Sequence, residues 1–327
     1  MTASTMDDDL LGYVRDAFGW REDPVLTPGP RGALGQIWRL DVGPRRFALK
    51  EIFDEPPSEA LIEAELAFAG RAVAAGIRLP ASHPDRDGRY LVTTPGGTWL
   101  RLYDWVELHA VDATVPSTPV ALGTLLARLH RCAPVSAEEP GGGPPHRWYD
   151  RVPGSPEWAE VAGSGAVWAA WLADRLATLP ELCAAVAPAD PAELIGCHRD
   201  LHPENVLADP TGALVVVDWD NLGPATPGRE LAQLSFDWFG HGSTVDLDAV
   251  RAMREAYVRA GGPGRITGPA DFTMLLACRL NFLLVQARVA LDPGAEPRHR
   301  AWAEREIDEG LRLLPTPRQL RDVLALT

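Results

Sequence analysis

The stretch Cys197-His198-Arg199-Asp200-Leu201-His202-Pro203-Glu204-Asn205 reads H-R-D-x-x-x-x-N. A turn at Asp209-Pro210-Thr211-Gly212 and an apolar run, Val215-Val216-Val217, then lead to Asp218. A carboxylate can orient an attacking hydroxyl or take its proton, and an amide oxygen and a second carboxylate are the hard donors that Mg²⁺ requires. The pattern therefore suits metal-dependent phosphoryl transfer to an alcohol, with Asp200 on the hydroxyl and Asn205 and Asp218 on Mg²⁺. Lone H-x-D tripeptides are common, so the fixed spacing of all three parts carries the reading. His198 is expected to hold the loop rather than to react. His202 and Glu204 are given no chemistry, and Asp220 is a supporting carboxylate at most.

Phosphates need a cation, and the chain has one lysine, Lys50, in Phe47-Ala48-Leu49-Lys50; every other basic residue is arginine, histidine aside. An ammonium on a flexible stem reaches between phosphates in a way that a planar guanidinium does not. The plain alternative is a stray surface lysine. Gly29, Gly32 and Gly35 punctuate a loop ahead of this strand, and Gly32 and Gly35 could lay backbone N–H groups over phosphates. The loop is not G-x-G-x-x-G, and an ordinary hairpin explains it equally well. Ser58–Ala75 reads as a helix in which Glu65 is the only charge on an apolar stripe. A carboxylate aimed at a core needs a partner, and Lys50 is the expected one.

The elements that must position these residues follow from periodicity. A short helix over Asp7–Phe18 precedes strands over 36–40, 46–50, 89–94 and 98–103. Asp104-Trp105-Val106-Glu107 is then a connector in which Asp104 and Val106 offer backbone groups to a purine edge. Helices follow from Thr118, over Gly163–Leu179 and Pro180–Val186, and over 249–259, 271–291 and 301–314, with a glycine-rich insertion at Glu138–Pro145. The expected fold is α+β. It has a small antiparallel-sheet region with one main helix (1–103), a connector (104–108) and a larger, mostly helical region (109–327).

Charge narrows the partners. The chain of 327 residues carries 31 basic and 45 acidic side chains, a formal charge of −14, which disfavours a nucleic-acid partner. No apolar run in the sequence looks long enough to span a membrane, and the acidic start resembles no export signal, so the expectation is a cytoplasmic protein with no membrane partner. Cys132, Cys183, Cys197 and Cys278 are widely spaced, which points to reduced thiols rather than to zinc or disulfides.

Lys50, Glu65, H-R-D-x-x-x-x-N and Asp218, in this order, resemble the aminoglycoside phosphotransferase and choline kinase branch of the protein-kinase-like fold. Leu126-Ala127-Arg128-Leu129-His130, His202-Pro203-Glu204-Asn205, Asp218-Trp219-Asp220 and Arg229-Glu230-Leu231-Ala232 add to the likeness. Two residues depart from it: Arg199 stands where many members have glycine, and Glu230 stands where they have aspartate. Only eleven residues separate Asp218 from Glu230 and no A-P-E motif follows, which argues against a protein kinase. The resemblance implies a bilobal small-molecule kinase using ATP or GTP with Mg²⁺. Its acceptor would be a hydroxylated antibiotic such as an aminoglycoside, which would make it a resistance enzyme. Choline, homoserine or a sugar is the alternative acceptor, and a non-catalytic pseudokinase is the alternative of another class. Asp237, Glu306, Asp308 and Glu309 are candidates to line a site for a cationic acceptor.

Overall fold

The computed structural model describes residues 8–31, 35–53, 55–134 and 145–326. Gly32, and all of the glycine-rich insertion except Pro145, lie outside the described residues. The chain divides into two compact units, Met1–His109 with Leu207–Asp220, and Ala110–Val206 with Asn221–Thr327. A single cut at the connector is thus too simple, because the segment ending in Asp218 and Asp220 belongs with the first unit. Backbone pairing explains this. His109 and Ala208 exchange N–H···O bonds of 2.8 and 2.9 Å, the Val216 N–H reaches the Arg78 carbonyl at 2.9 Å, and Arg78 pairs with Asp209.

The first unit holds helix α1 (Asp8–Ala17), strands β1 (Val25–Arg31), β2 (Gly35–Val42) and β3 (Arg45–Ile52), helix α2 (Glu59–Ala74), and strands β4 (Ser82–His83), β5 (Val92–Thr93) and β6 (Trp99–Asp104). They form one antiparallel sheet ordered β1-β2-β3-β6-β4, with β5 also on β6. Strand β1 runs through Gly29, where the sequence points to a loop, and contains Pro28 and Pro30. At the sheet edge a proline removes no needed donor, and the register slips between Pro28 and Arg31. Alternation buries Trp38, Leu40, Val42, Phe47, Leu49, Leu100 and Leu102 with Val14 of α1. Lys50 on β3 and Arg101 on β6 are register partners on the other face. Ser58 caps α2 by accepting the Leu61 N–H at 3.2 Å, and the helix buries Ile62, Glu65, Phe68 and Ala72.

The second unit is mostly helical. It holds α3 (Thr118–Cys132), α4 (Arg147–Asp150), α5 (Ser155–Ala162), α6 (Ala169–Leu176), α7 (Leu179–Cys183), α8 (Pro227–Phe239), α9 (Leu247–Arg259), α10 (Thr273–Leu291), α11 (Pro297–Leu313) and α12 (Pro317–Leu324). The expected helix over 163–179 is shortened to α6, and a separate helix, α5, precedes it and is capped by Gly163. Helix α8 opens on a Pro at its first turn and is buried on nearly every side. Contrary to the sequence expectation, the helical run Pro269–Leu291 is long and apolar enough to cross a membrane, with half of that window buried in the protein. A core helix has the same composition. The four cysteines form no disulfide.

Candidate active site

In the first unit, Lys50 Nζ donates to Asp218 Oδ1 at 2.7 Å and to Asp220 Oδ2 at 2.6 Å. Burial disfavours the ammonium, but the two carboxylates more than offset this and hold its pKa above the ordinary value. Asp218 follows the last apolar strand with φ 57°, a left-handed conformation that a non-glycine residue adopts only where its surroundings enforce it. Trp219 is buried with its ring edge-on to Phe68 of α2 at 5.3 Å, which fixes the turn between the two carboxylates.

The expected Lys50–Glu65 pair does not form. Glu65 is instead held bidentately by Arg101, at 2.6 and 2.9 Å. Both side chains are almost fully buried, and a guanidinium's fork matches a carboxylate in a way that lysine cannot. Burial raises the Glu65 carboxyl above its usual range while Arg101 opposes that shift. Arg101 escaped the sequence reading because nothing local marks it; only strand register places it beside Lys50.

Gly35 is not in a loop but opens β2 against Ile52. A Cβ there would lie 2.4 Å from the Glu51 carbonyl oxygen, so close strand approach accounts for the glycine. The Asp104 N–H bonds to the Ala81 carbonyl and its carboxylate to His83 Nε2 at 2.7 Å. Val106 lies in the irregular connector.

In the second unit, Asp200 is half-buried, and its Oδ2 accepts from Asn205 Nδ2 at 3.0 Å and from Asn221 Nδ2 at 2.9 Å. Oδ1 faces His202 Nε2 at 3.6 Å. Burial pushes the Asp200 carboxyl up, but the His202 contact, with His198 and Asn221, outweighs this and holds it lowered, hence ionised at neutral pH. Asn205 Nδ2 also donates to the Asp200 carbonyl at 2.9 Å, so its amide hydrogens are committed and its Oδ1 is the atom left for a cation. Asn221 and His202 are neighbours of Asp200 that the motif did not announce. Asn221 follows Asp218 by three residues but belongs to no pattern, and it also accepts the Tyr149 hydroxyl at 2.8 Å.

Arg199 sits at φ 65°, a left-handed conformation that glycine adopts without strain. Its backbone N–H donates to Glu230 Oε1, and Glu230 Oε2 meets His130 Nε2 at 2.7 Å. His130 Nδ1 in turn meets the Tyr257 hydroxyl at 2.7 Å. Burial pushes the Glu230 carboxyl up, but His130 and the Arg199 N–H outweigh this and hold it below the usual range. Cys197 Sγ lies 3.9 Å from His130 Nε2, and burial pushes its thiol well up. His130, Cys197 and Glu230 could in principle ligate a soft metal, but the imidazole and carboxylate are already bonded to Tyr257, Arg199 and each other. The Arg199 guanidinium stacks 3.8 Å over Tyr149 and donates to the Asn221 and Leu222 carbonyls. A Cβ on Gly223 would lie 2.4 Å from that guanidinium, so the glycine is what admits it.

The four acidic candidates fare differently. Asp237 pairs with Arg279 at 2.8 Å, and Asp308 pairs with Arg312 one turn on. Asp308 and Glu309, with Glu304, Arg175, Arg305 and Arg312, line an open cavity of about 1020 Å³ whose charges balance. Glu306 is raised by burial, then by Glu309 and by Glu204 of the loop that carries Asp200.

A family model described as the phosphotransferase enzyme family (APH) matches residues 25–271. No curated protein matches by sequence. Among solved structures, spectinomycin phosphotransferase APH(9)-Ia, in complex with ADP and spectinomycin, is 13% identical with TM-score 0.62, over 98% of this chain and 100% of its own. A microcompartment-associated aminopropanol kinase is 19% identical with TM-score 0.65, over 98% and 100%. Macrolide 2′-phosphotransferase MphH of Brachybacterium faecium is 19% identical with TM-score 0.53, over 92% and 98%. These likenesses show a protein-kinase-like fold. The family match spans most of the sequence, and the chain belongs to the APH phosphotransferase enzyme family.

Proposed function

We propose that this phosphotransferase moves the γ-phosphoryl group of ATP, or alternatively GTP, to a hydroxyl of an aminoglycoside or similar cationic antibiotic, in the cytoplasm. The observation that carries the reading is Asp200: one carboxylate oxygen is fixed by two asparagine amides and the other faces the His202 imidazole at 3.6 Å, which holds the carboxylate in one orientation toward a hydroxyl. Its lowered pKa suits an orienting carboxylate that accepts the proton as the O–P bond forms. Lys50 would release Asp218 and bind phosphate oxygens. The donor set, the Asn205 amide oxygen and the Asp218 carboxylate, is hard and fits Mg²⁺. When bound, that ion neutralises charge on the phosphate oxygens.

Glu204, Glu306 and Glu309 near the catalytic loop support a cationic acceptor. The balanced charge of the open cavity, and the pairing of Asp237 and Asp308, favour a second reading: a metabolite kinase for an amino alcohol, homoserine or sugar. Nucleotide consumption by the purified chain with Mg²⁺, against panels of aminoglycosides, other hydroxylated antibiotics, amino alcohols and sugars, separates the two. One acceptor that stimulates turnover and gains the mass of a phosphate identifies the class. Stimulation by metabolites alone would reject the antibiotic reading.

A further inference from the structure

Lys50 and Arg101 lie side by side across neighbouring strands, and like charges so placed repel unless anions lie between them. One carboxylate, Asp220, contacts both, and two more flank the pair. Glu65 takes Arg101 bidentately, Asp220 Oδ1 lies 3.6 Å from Arg101 and its Oδ2 lies 2.6 Å from Lys50, and Asp218 takes Lys50 at 2.7 Å. The order Glu65–Arg101–Asp220–Lys50–Asp218 is a continuous ionic chain, dry at its Glu65–Arg101 end and most exposed at Asp218. Arg101 is fully buried, Lys50 is 11% exposed, Asp220 30% and Asp218 42%.

Lys50 is therefore shared between a carboxylate that is the wetter of the two and one that is anchored from behind. If Asp218 turns to a metal ion, Lys50 loses one partner and keeps Asp220. We propose that Arg101 and Asp220 are positioning residues for phosphoryl transfer: Arg101, itself locked by Glu65, fixes Asp220, and Asp220 fixes Lys50 against the nucleotide phosphates. The helix glutamate thus governs the lysine through two intermediates rather than by touching it. The inference rests on the reading of Lys50 as the phosphate-binding residue.

The test measures Kd for the Mg²⁺–nucleotide complex by calorimetry, with KM for nucleotide and for acceptor, in four variants. Lys50→Ala checks the underlying reading. Asp220→Asn breaks the middle of the chain. The double variant Glu65→Met with Arg101→Met removes the buried pair together, so that neither charge is stranded in the core. A triple variant combines this pair with Asp220→Asn.

Asp220→Asn and the double variant should each weaken Mg²⁺–nucleotide binding roughly tenfold, the scale of one charge-assisted hydrogen bond, and leave the acceptor KM unchanged. The triple variant should be no worse than Asp220→Asn, since both lesions interrupt one path. Normal nucleotide affinity in a folded double variant, or losses that simply add in the triple, would overturn the relay. A weakened Lys50→Ala beside a normal Asp220→Asn would reject the relay alone. An unaffected Lys50→Ala would instead reject the reading beneath it. Should the double variant fail to fold, Asp220→Asn decides: unchanged affinity for nucleotide, or a defect confined to Mg²⁺ demand, rejects the proposal.

Discussion

The Glu230 carboxylate accepts the backbone N–H of Arg199, the residue whose left-handed turn carries the chain into Asp200. Holding a non-glycine residue there costs about 1–3 kcal/mol, so the clamp must more than offset that strain. Glu230→Ala should let the loop relax and displace Asp200. An ångström of misplacement can lower kcat by up to about a hundredfold, with nucleotide affinity little changed. Steady-state kinetics with direct nucleotide binding checks the split.

The same residue makes a prediction about acid. Its pKa is lower folded than unfolded, so its contribution to stability is present above the unfolded value, about 4.3, and is lost as pH falls through the folded value. Urea midpoints measured from pH 7 down to pH 3 should fall more gently in Glu230→Gln than in the wild type. Parallel curves would show that Glu230 is not the group responsible.

Asp200→Asn keeps the shape and removes the charge. Turnover should fall by about 10²–10⁴ while Mg²⁺–nucleotide binding persists. Wild-type turnover in this variant would take the acceptor hydroxyl away from Asp200.

Glu65→Ala leaves the Arg101 guanidinium unpaired in the core. Removing one partner of a buried ion pair costs about 3–5 kcal/mol, most of it the stranded charge. Chemical denaturation should register a loss of that size, larger than for an exposed pair such as Arg259–Glu255.

Arg199→Gly sets two effects against each other. Glycine relieves strain of about 1–3 kcal/mol. It also removes a cation–π contact worth up to about 2 kcal/mol and two guanidinium hydrogen bonds worth about 1.5–3 kcal/mol each. The losses are larger, so the variant should be less stable despite its easier backbone. A raised melting temperature would mean that strain dominates.

The pattern of legible and illegible features has a physical cause. H-R-D-x-x-x-x-N and Asp218 could be read because a loop and its following hairpin are local, and their residue types are rare in combination. The stripe on α2 singled out Glu65 as a buried charge, but not its partner. Arg101 lies thirty-six residues along the chain, and only strand register brings it near. Strand β1 was hidden by Gly29, which reads as part of a loop. Asn221 and His202 gain their meaning from the fold of the loop around Asp200, which no spacing encodes.

Lys50 is the chain's only lysine, and two carboxylates hold its ammonium charged. Amine-directed acylating reagents thus have one side-chain target besides the terminal amine, and attack requires the ion cluster to open and the nitrogen to lose its proton. A peptide map that separates Lys50 from the terminal amine then reports how often that cluster opens. Labelling rate with and without added nucleotide would show whether nucleotide shields Lys50, without mutation, dye or assay of turnover.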